Sequence, residues 1–204
     1  MKIICIGRNY ADHAKELNNP LPSKPVFFLK PETALIPKNM PFFIPDFTND
    51  LHHEVELVVK INRLGKNIEE RFAHKYYNEI GIGIDFTARD LQSECKSKGL
   101  PWEMAKAFDH SAPISQQFIN LEQLPPTNNI PFRLEKNGVT IQQGNSKDMI
   151  FSIDKIIAYV SQFFTLKIGD LIFTGTPAGV GQVNINDELK AFIGDKELMQ
   201  LKIK

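Results

Sequence analysis

A mainly β, α+β domain is the fold class this sequence predicts, on three observations. Short apolar runs bounded by Pro, Gly or Asn recur along the chain, with few segments of helical period between them. Strands and helices do not alternate regularly, as a doubly wound parallel sheet would require. Asn137-Gly138 separates strand-like residues 132–136 from 139–142, the strongest hairpin signal present and a mark of antiparallel structure. The 204 residues, 42% of them hydrophobic, suit one domain over residues 1–204 with a sizeable core.

Residues 2–6 form a short buried strand closed by Gly7. A helical stretch runs from about Tyr10 to Leu17 and meets the Pro-rich break 18–22; a brief helix ending in such a loop can serve as a lid over residues 10–22. Residues 25–30 and 41–45 carry prolines that suit edges and turns better than central strands. In His52-His53-Glu54-Val55-Glu56-Leu57-Val58-Val59 the side chains alternate. Val55, Leu57, Val59 and Ile61 take one face and Glu54 and Glu56 the other, as carboxylates either at a cation or on an edge strand facing water. Beyond Gly65 the composition predicts a polar helix to about Tyr77, then an apolar strand over 80–85. Thr87 is a plausible N-cap, with Asp90 three residues on, for a helix reaching Lys98 and stopped by Gly99. Ser152 caps an amphipathic helix to about Phe164, with Ile153, Ile156, Ile157, Val160 and Phe164 at helical spacing. Strands at 171–174, 188–193 and 198–203 close the chain.

Twenty-four basic and 24 acidic side chains give zero formal net charge with no basic stripe, so electrostatics offer no reason to expect nucleic acid or an anionic membrane as partner. A small ligand is the expectation. The absence of an apolar run of roughly 18 residues and of a charged-then-apolar leader leads us to expect a cytoplasmic protein. Cys5 and Cys95 form no Cys-x-x-Cys pair and read as structural.

The chemistry concentrates in a few residues. Two carboxylates held side by side near a core repel and are costly unless neutralised, and a divalent cation neutralises both. Asp85, closing an apolar strand before a helix, is the natural third ligand, or else an ordinary strand-end turn residue. Glu54, Glu56 and Asp85 together make an all-oxygen site suited to Mg2+ or Mn2+ rather than zinc. His52 and His53 face opposite ways, so at most one approaches such a metal. His13 and Glu16, three apart on one helical face, form either a dyad able to deprotonate water or a surface pair. Arg8 either recognises a substrate carboxylate or makes a salt bridge. Lys106 in an apolar stretch either stabilises an enolate or snorkels to solvent. Thr174-Gly175-Thr176-Pro177-Ala178-Gly179-Val180-Gly181 is a Gly-rich turn after a strand, able to hold an anion and unlike a Walker loop.

In order, these segments resemble the fumarylacetoacetate hydrolase family, in its short, single-domain acylpyruvate hydrolase branch. The matching stretches are Gly-Arg-Asn-Tyr-Ala-Asp-His from Gly7, His-His-Glu-Val-Glu-Leu from His52 and Gly-Ile-Asp-Phe-Thr-Ala-Arg-Asp-Leu-Gln from Gly83. Lys-Gly-Leu-Pro-Trp from Lys98, Ala-Lys-Ala-Phe-Asp from Ala105 and Phe-Thr-Gly-Thr-Pro-Ala-Gly-Val-Gly from Phe173 complete the pattern over nearly the full chain. The resemblance implies a mixed β-roll with flanking helices, commonly a homodimer. It also implies Glu54, Glu56 and Asp85 as ligands of Mg2+ or Mn2+, and His13 with Glu16 as the water-activating dyad. Lys106 and Gln92 become polar stabilisers of the reacting oxygens, and Thr176 a carboxylate contact. Larger members have a further Asp ligand upstream; in this short chain waters would complete the shell.

The activity implied is metal-dependent cleavage of an acylpyruvate-type β-diketo acid to pyruvate and a carboxylic acid, with water activated by His13 attacking the distal carbonyl. The same site would serve decarboxylation or keto-enol tautomerisation of oxaloacetate, or isomerisation and decarboxylation of hydroxymuconate-type diacids from aromatic catabolism. A non-catalytic, cation-dependent binding module on the same scaffold is the alternative of another class; it would need neither the His13-Glu16 pair nor Lys106.

Overall fold

The computed structural model describes residues 1–17 and 20–204. The first half contains β1 (Ile3–Gly7), α1 (Ala11–Glu16), β2 (Val26–Lys30), β3 (Leu51–His53), β4 (Val55–Ile61), β5 (Tyr77–Ile84) and β6 (Thr87–Ala88). Helices α2 (Arg89–Lys98) and α3 (Glu103–Lys106) precede β7 (Ile119–Asn120), β8 (Pro131–Lys136) and β9 (Val139–Asn145). The chain ends with α4 (Ile153–Val160), β10 (Leu171–Phe173), β11 (Gly181–Gln182), β12 (Glu188–Ile193) and β13 (Lys196–Lys202). Strand outweighs helix, as expected of a mainly β, α+β chain.

Three sheets share the strands. The largest runs β2-β1-β10-β4-β5-β7, with β1 and β10 parallel and the other neighbours antiparallel. A four-stranded antiparallel sheet, β13-β12-β8-β9, contains the hairpin at Asn137-Gly138, and β11-β3-β6 form a small antiparallel third sheet. Proline-flanked β2 is an edge strand, because the proline at its entrance cannot donate to a ladder. Of residues 41–45, Phe42 bridges to Ile203 and Ile44 N donates to Lys204 O at 2.9 Å, too little to make a strand.

Strand β4 lies between β10 and β5, so the water-facing edge strand is excluded. Val55, Leu57, Val59 and Ile61 join the main core, as alternation predicts. On the carboxylate face Val58 is equally buried, in a second cluster with Ile3, Cys5, Leu171 and Phe173. A strand covered on both faces places its glutamates inside the protein.

Three local expectations need correction. The polar stretch after Gly65 forms only a 3-10 turn at Glu70–Lys75, within which Ala73 is the one buried residue, so the turn has no apolar stripe on which a longer helix could pack. Thr87 does not cap α2; it pairs with His52 in β6, while Asp90 accepts from Thr48 Oγ1 at 2.7 Å and Asn49 N at 3.0 Å. Helix α4, capped by Ser152 Oγ as expected, stops at Val160. There Ser161 Oγ donates to Ala158 O and accepts from Ile68 N, tying the helix end to the loop beside it, and Phe164 packs beyond it on Phe27. In the lid expected over residues 10–22, α1 is present and Asn18 and Asn19 lie outside the described residues. No helix of the described residues is long and apolar enough to cross a membrane, and Cys5 and Cys95 are free and buried.

Candidate active site

The carboxylate cluster follows from register. The chain leaves the small sheet at His53 and enters the large one at Val55, so Glu54 sits at the step between them. Val55 pairs with Ile84 and Glu56 with Gly83, and Asp85 N donates to Glu54 O at 2.8 Å. Asp85 thus stands opposite Glu54, with Glu56 two residues along the same face. One oxygen from each lies within 4.8 Å of the others, and all three residues are at most 5% exposed.

Such a cluster needs cations, and the structure supplies three. Lys106 Nζ donates to Glu54 Oε2 and Asp85 Oδ2, each at 2.8 Å, and to Thr87 Oγ1 at 2.5 Å. Arg89 bridges Glu54 Oε1 at 2.5 Å and Gln92 Oε1 at 2.6 Å. Lys30, its side chain fully buried, places Nζ 2.8 Å from Asp85 Oδ1 as an ion-pair contact without hydrogen-bond geometry, and donates to Ser111 Oγ at 2.9 Å. It also donates to the Lys106 carbonyl. Glu56 has no cationic partner among the described residues; its Oε2 accepts from the Gly175 amide at 2.6 Å.

The electrostatic result is unequal. Burial pushes the Glu54 carboxyl up, but Lys106, Arg89 and His13 outweigh it and hold that carboxyl well below the usual range. Burial also raises Glu56, and there the Asp85 and Glu54 charges add to it, so its carboxyl lies well above the usual range despite the Gly175 amide. Lys106 is raised, Asp85 and Glu54 overcoming the burial that opposes its charge. A buried, all-oxygen donor set with one carboxylate lacking a counter-charge fits Mg2+ or Mn2+.

A second group converges on the same place. His13, buried on α1, places Nδ1 3.0 Å from Glu16 Oε2, and Glu16 Oε1 accepts from the Gly179 amide at 3.0 Å. With Nδ1–H directed at Glu16, Nε2 is the imidazole atom left for chemistry. Thr176 Oγ1 accepts from Gln142 Nε2 at 2.9 Å, which leaves the Thr176 hydroxyl proton free to point elsewhere. Gln142 Oε1 accepts from Val55 N at 3.1 Å and contacts His53 Nδ1 at 2.9 Å, so one buried carboxamide grips both neighbours of Glu54. His53 is therefore packed against Gln142 and His52 pairs with Asp50.

Of the ten residues singled out in the sequence, eight line one cleft of about 430 Å3, its open mouth included: Arg8, His13, Glu54, Glu56, Asp85, Gln92, Lys106 and Thr176. Glu16 and Gly175 stand behind it, Glu16 against His13 and Gly175 with its amide on Glu56 rather than toward an incoming anion. The sequence expectations did not include Lys30, Arg89 or Gln142.

The fumarylacetoacetate (FAA) hydrolase C-terminal family model matches residues 2–204. A mitochondrial oxaloacetate tautomerase of Bos taurus is 46% identical over 201 residues, covering 98% of this chain and 90% of that protein. An oxaloacetate tautomerase of Escherichia coli strain K12 is 45% identical over 188 residues, 92% and 86% of the two chains. The crystal structure of a fumarylpyruvate hydrolase from Pseudomonas aeruginosa, in complex with Mn2+ and pyruvate, matches with a TM-score of 0.92 at 35% identity, covering 100% of this chain and 89% of that one. The fold, the ordered motifs and these relatives agree that this chain belongs to the fumarylacetoacetate hydrolase family.

Proposed function

We propose that the protein is a divalent-metal-dependent enzyme that interconverts the enol and keto forms of oxaloacetate. The observation that carries this is the buried Glu54-Glu56-Asp85 cluster with Lys106 bonded across two of its members, in one cleft with His13. The two oxaloacetate tautomerases at 45–46% identity favour this reaction over the acylpyruvate hydrolysis expected from the sequence. The three carboxylates would hold Mg2+ or Mn2+, which when bound supplies a Lewis acid for a 2-oxo carboxylate.

The chain's own groups supply the proton chemistry. His13 Nε2 removes a proton from C3; the C–H pair becomes the C2–C3 double bond and the carbonyl pair moves to oxygen. Glu16 stabilises the resulting imidazolium through Nδ1, and the imidazolium returns its proton to the enolate oxygen. Lys106 contributes positive charge beside that oxygen, and Thr176 and Gln92 hold the substrate in place. The reverse sequence carries enol to keto.

The assay is the decay of enol oxaloacetate absorbance in Mg2+ and in EDTA, set beside decarboxylation and acetylpyruvate cleavage. Metal-dependent tautomerisation should show the largest kcat/KM. Equal rates in EDTA, or a larger kcat/KM for acetylpyruvate, would refute the assignment. Acylpyruvate hydrolysis is the second reading: the same Nε2 would take its proton from water, and the similar fumarylpyruvate hydrolase binds pyruvate and Mn2+. The homodimer stands as a further proposal, checked by light scattering.

A further inference from the structure

Helix α2 turns one stripe toward the cleft: Arg89, Gln92 and Lys96 follow one another at i, i+3 and i+7, and all three line it. Arg89 belongs to the carboxylate end through Glu54. Lys96 lies about 10 Å further along the helix, at 1.5 Å per residue, with Nζ 5.7 Å from the centroid of the Trp102 ring. Arg8 approaches the cleft from the end of β1. Its backbone is held at φ 59° beside Asn9, whose side chain is bonded to Thr174 O at 2.7 Å and to Phe151 N and O at 2.8 and 3.0 Å.

Neither Arg8 nor Lys96 makes an ion pair or side-chain hydrogen bond among the described residues, although both line a cleft that contains three carboxylates. Those carboxylates are committed elsewhere, Glu54 and Asp85 to Lys106, Arg89 and Lys30, and Glu56 to the Gly175 amide. Partial burial, then the Arg89 and Arg8 charges, lowers the Lys96 ammonium below the ordinary lysine value. Like charges gathered without a counter-ion repel, and an arriving anion relieves that repulsion.

We propose that Arg8 and Lys96 form a distal anion subsite that binds the second carboxylate of the substrate and selects 2-oxo dicarboxylates over 2-oxo monoacids. The subsite extends the proposed function, in which the 2-oxo carboxylate end lies at Glu54, Glu56 and Asp85.

The test compares 2-oxoglutarate with 2-oxopentanoate, five-carbon 2-oxo acids that differ in having a carboxylate or a methyl group at the far end. Calorimetric titration in saturating Mg2+ should show the diacid binding at least tenfold tighter to the unmodified protein. Arg8→Gln and Lys96→Gln should each reduce that preference below threefold and leave the monoacid affinity within twofold, while Arg8→Lys retains the preference. In turnover, both glutamine variants should raise the KM for oxaloacetate about tenfold with kcat little changed. Absence of a diacid preference, its survival in both glutamine variants, or equal weakening of the two ligands overturns the subsite. Lys96 is exposed on α2, so Lys96→Gln decides the matter if an Arg8 variant fails to fold. A protein that prefers the diacid but does not convert oxaloacetate keeps the subsite and loses the tautomerase assignment; one that converts oxaloacetate without the preference does the reverse.

Discussion

Replacing Lys106 by methionine should separate metal binding from catalysis. The Lys106 ammonium is 3% exposed and 2.8 Å from oxygens of both Glu54 and Asp85. At an effective dielectric constant of 20, each contact is worth roughly 6 kcal/mol of Coulomb attraction, much of it offset by desolvation of the buried charges. Breaking a buried pair costs about 3–5 kcal/mol net. The lower end applies here, since Arg89 still neutralises Glu54 and Lys30 still contacts Asp85. At about 2–4 °C per kcal/mol for a domain of this size, Lys106→Met should melt roughly 6–12 °C lower than the unmodified protein in EDTA. Mg2+ at 100 times its Kd adds about 2.7 kcal/mol. Its stabilisation should be larger in the variant, because the cation no longer shares the cluster with an ammonium. Loss of a positive charge beside the enolate oxygen should reduce kcat by about 10²–10³-fold even in saturating Mg2+. Melting curves in EDTA and Mg2+, paired with enol decay, measure all three effects. A melting point within 2 °C of the unmodified protein in EDTA, or a smaller Mg2+ shift in the variant, would refute the electrostatic account of Lys106.

Other perturbations report on other parts of the site. Glu56→Gln keeps an acceptor for the Gly175 amide and removes a carboxylate that has no cationic partner; melting in EDTA should change by no more than about 1 kcal/mol, while the Mg2+ shift and activity disappear. His13→Ala should reduce tautomerisation by about 10²–10⁴-fold with the Mg2+ melting shift intact, and full retention of activity would remove His13 from the proton path. Burial drives the His53 imidazole down from 6.5 to about 4. Between those values the unfolded chain binds the proton and the folded one does not, so stability is complete above pH 6.5 and falls as the pH drops toward 4, by at most about 3 kcal/mol. Urea unfolding at pH 4.5 and 7.5 should show this difference, and His53→Gln should shrink it; an unchanged difference would assign the acid sensitivity to other groups.

The candidate ligands were legible because their signals are local. Period-two alternation places Glu54 and Glu56 together, and an Asp closing an apolar strand places Asp85 at a sheet end. Alternation could not show that the chain changes sheets at Glu54, or that Val58 packs on the carboxylate face, because both depend on which strands lie alongside. Lys30 follows Val-Phe-Phe-Leu at the end of a short extended segment and carries no local signal of its own; only the fold brings its ammonium against Asp85. Gln142 is one of two adjacent glutamines in a hairpin, and nothing in the sequence distinguishes the one directed inward to Val55 and Thr176. Arg89 does carry a signal, standing three residues before Gln92 on one helical face, within the stretch that resembles the family.

The Gly-rich turn makes these separate signals one site. Three of its residues serve three different groups: the Gly175 amide holds Glu56, Thr176 takes its hydrogen bond from Gln142, and the Gly179 amide holds the Glu16 that orients His13. The backbone must turn sharply enough to aim two amides at two carboxylates while passing close to its neighbours. Gly175 and Gly179 adopt φ of +100° and +96°, and a Cβ there would stand 2.6 Å from Asn9 Cβ and 2.5 Å from Ile141 O. A side chain at either position would therefore displace more than the turn. At Gly175 it would disturb the carboxylate that lacks a counter-charge, and at Gly179 the carboxylate that fixes which imidazole nitrogen faces the cleft. One carboxylate of the cluster and the imidazole beside it are thus positioned by one short segment, and what resembles an anion-binding loop in the sequence orients the protein's own carboxylates in the fold.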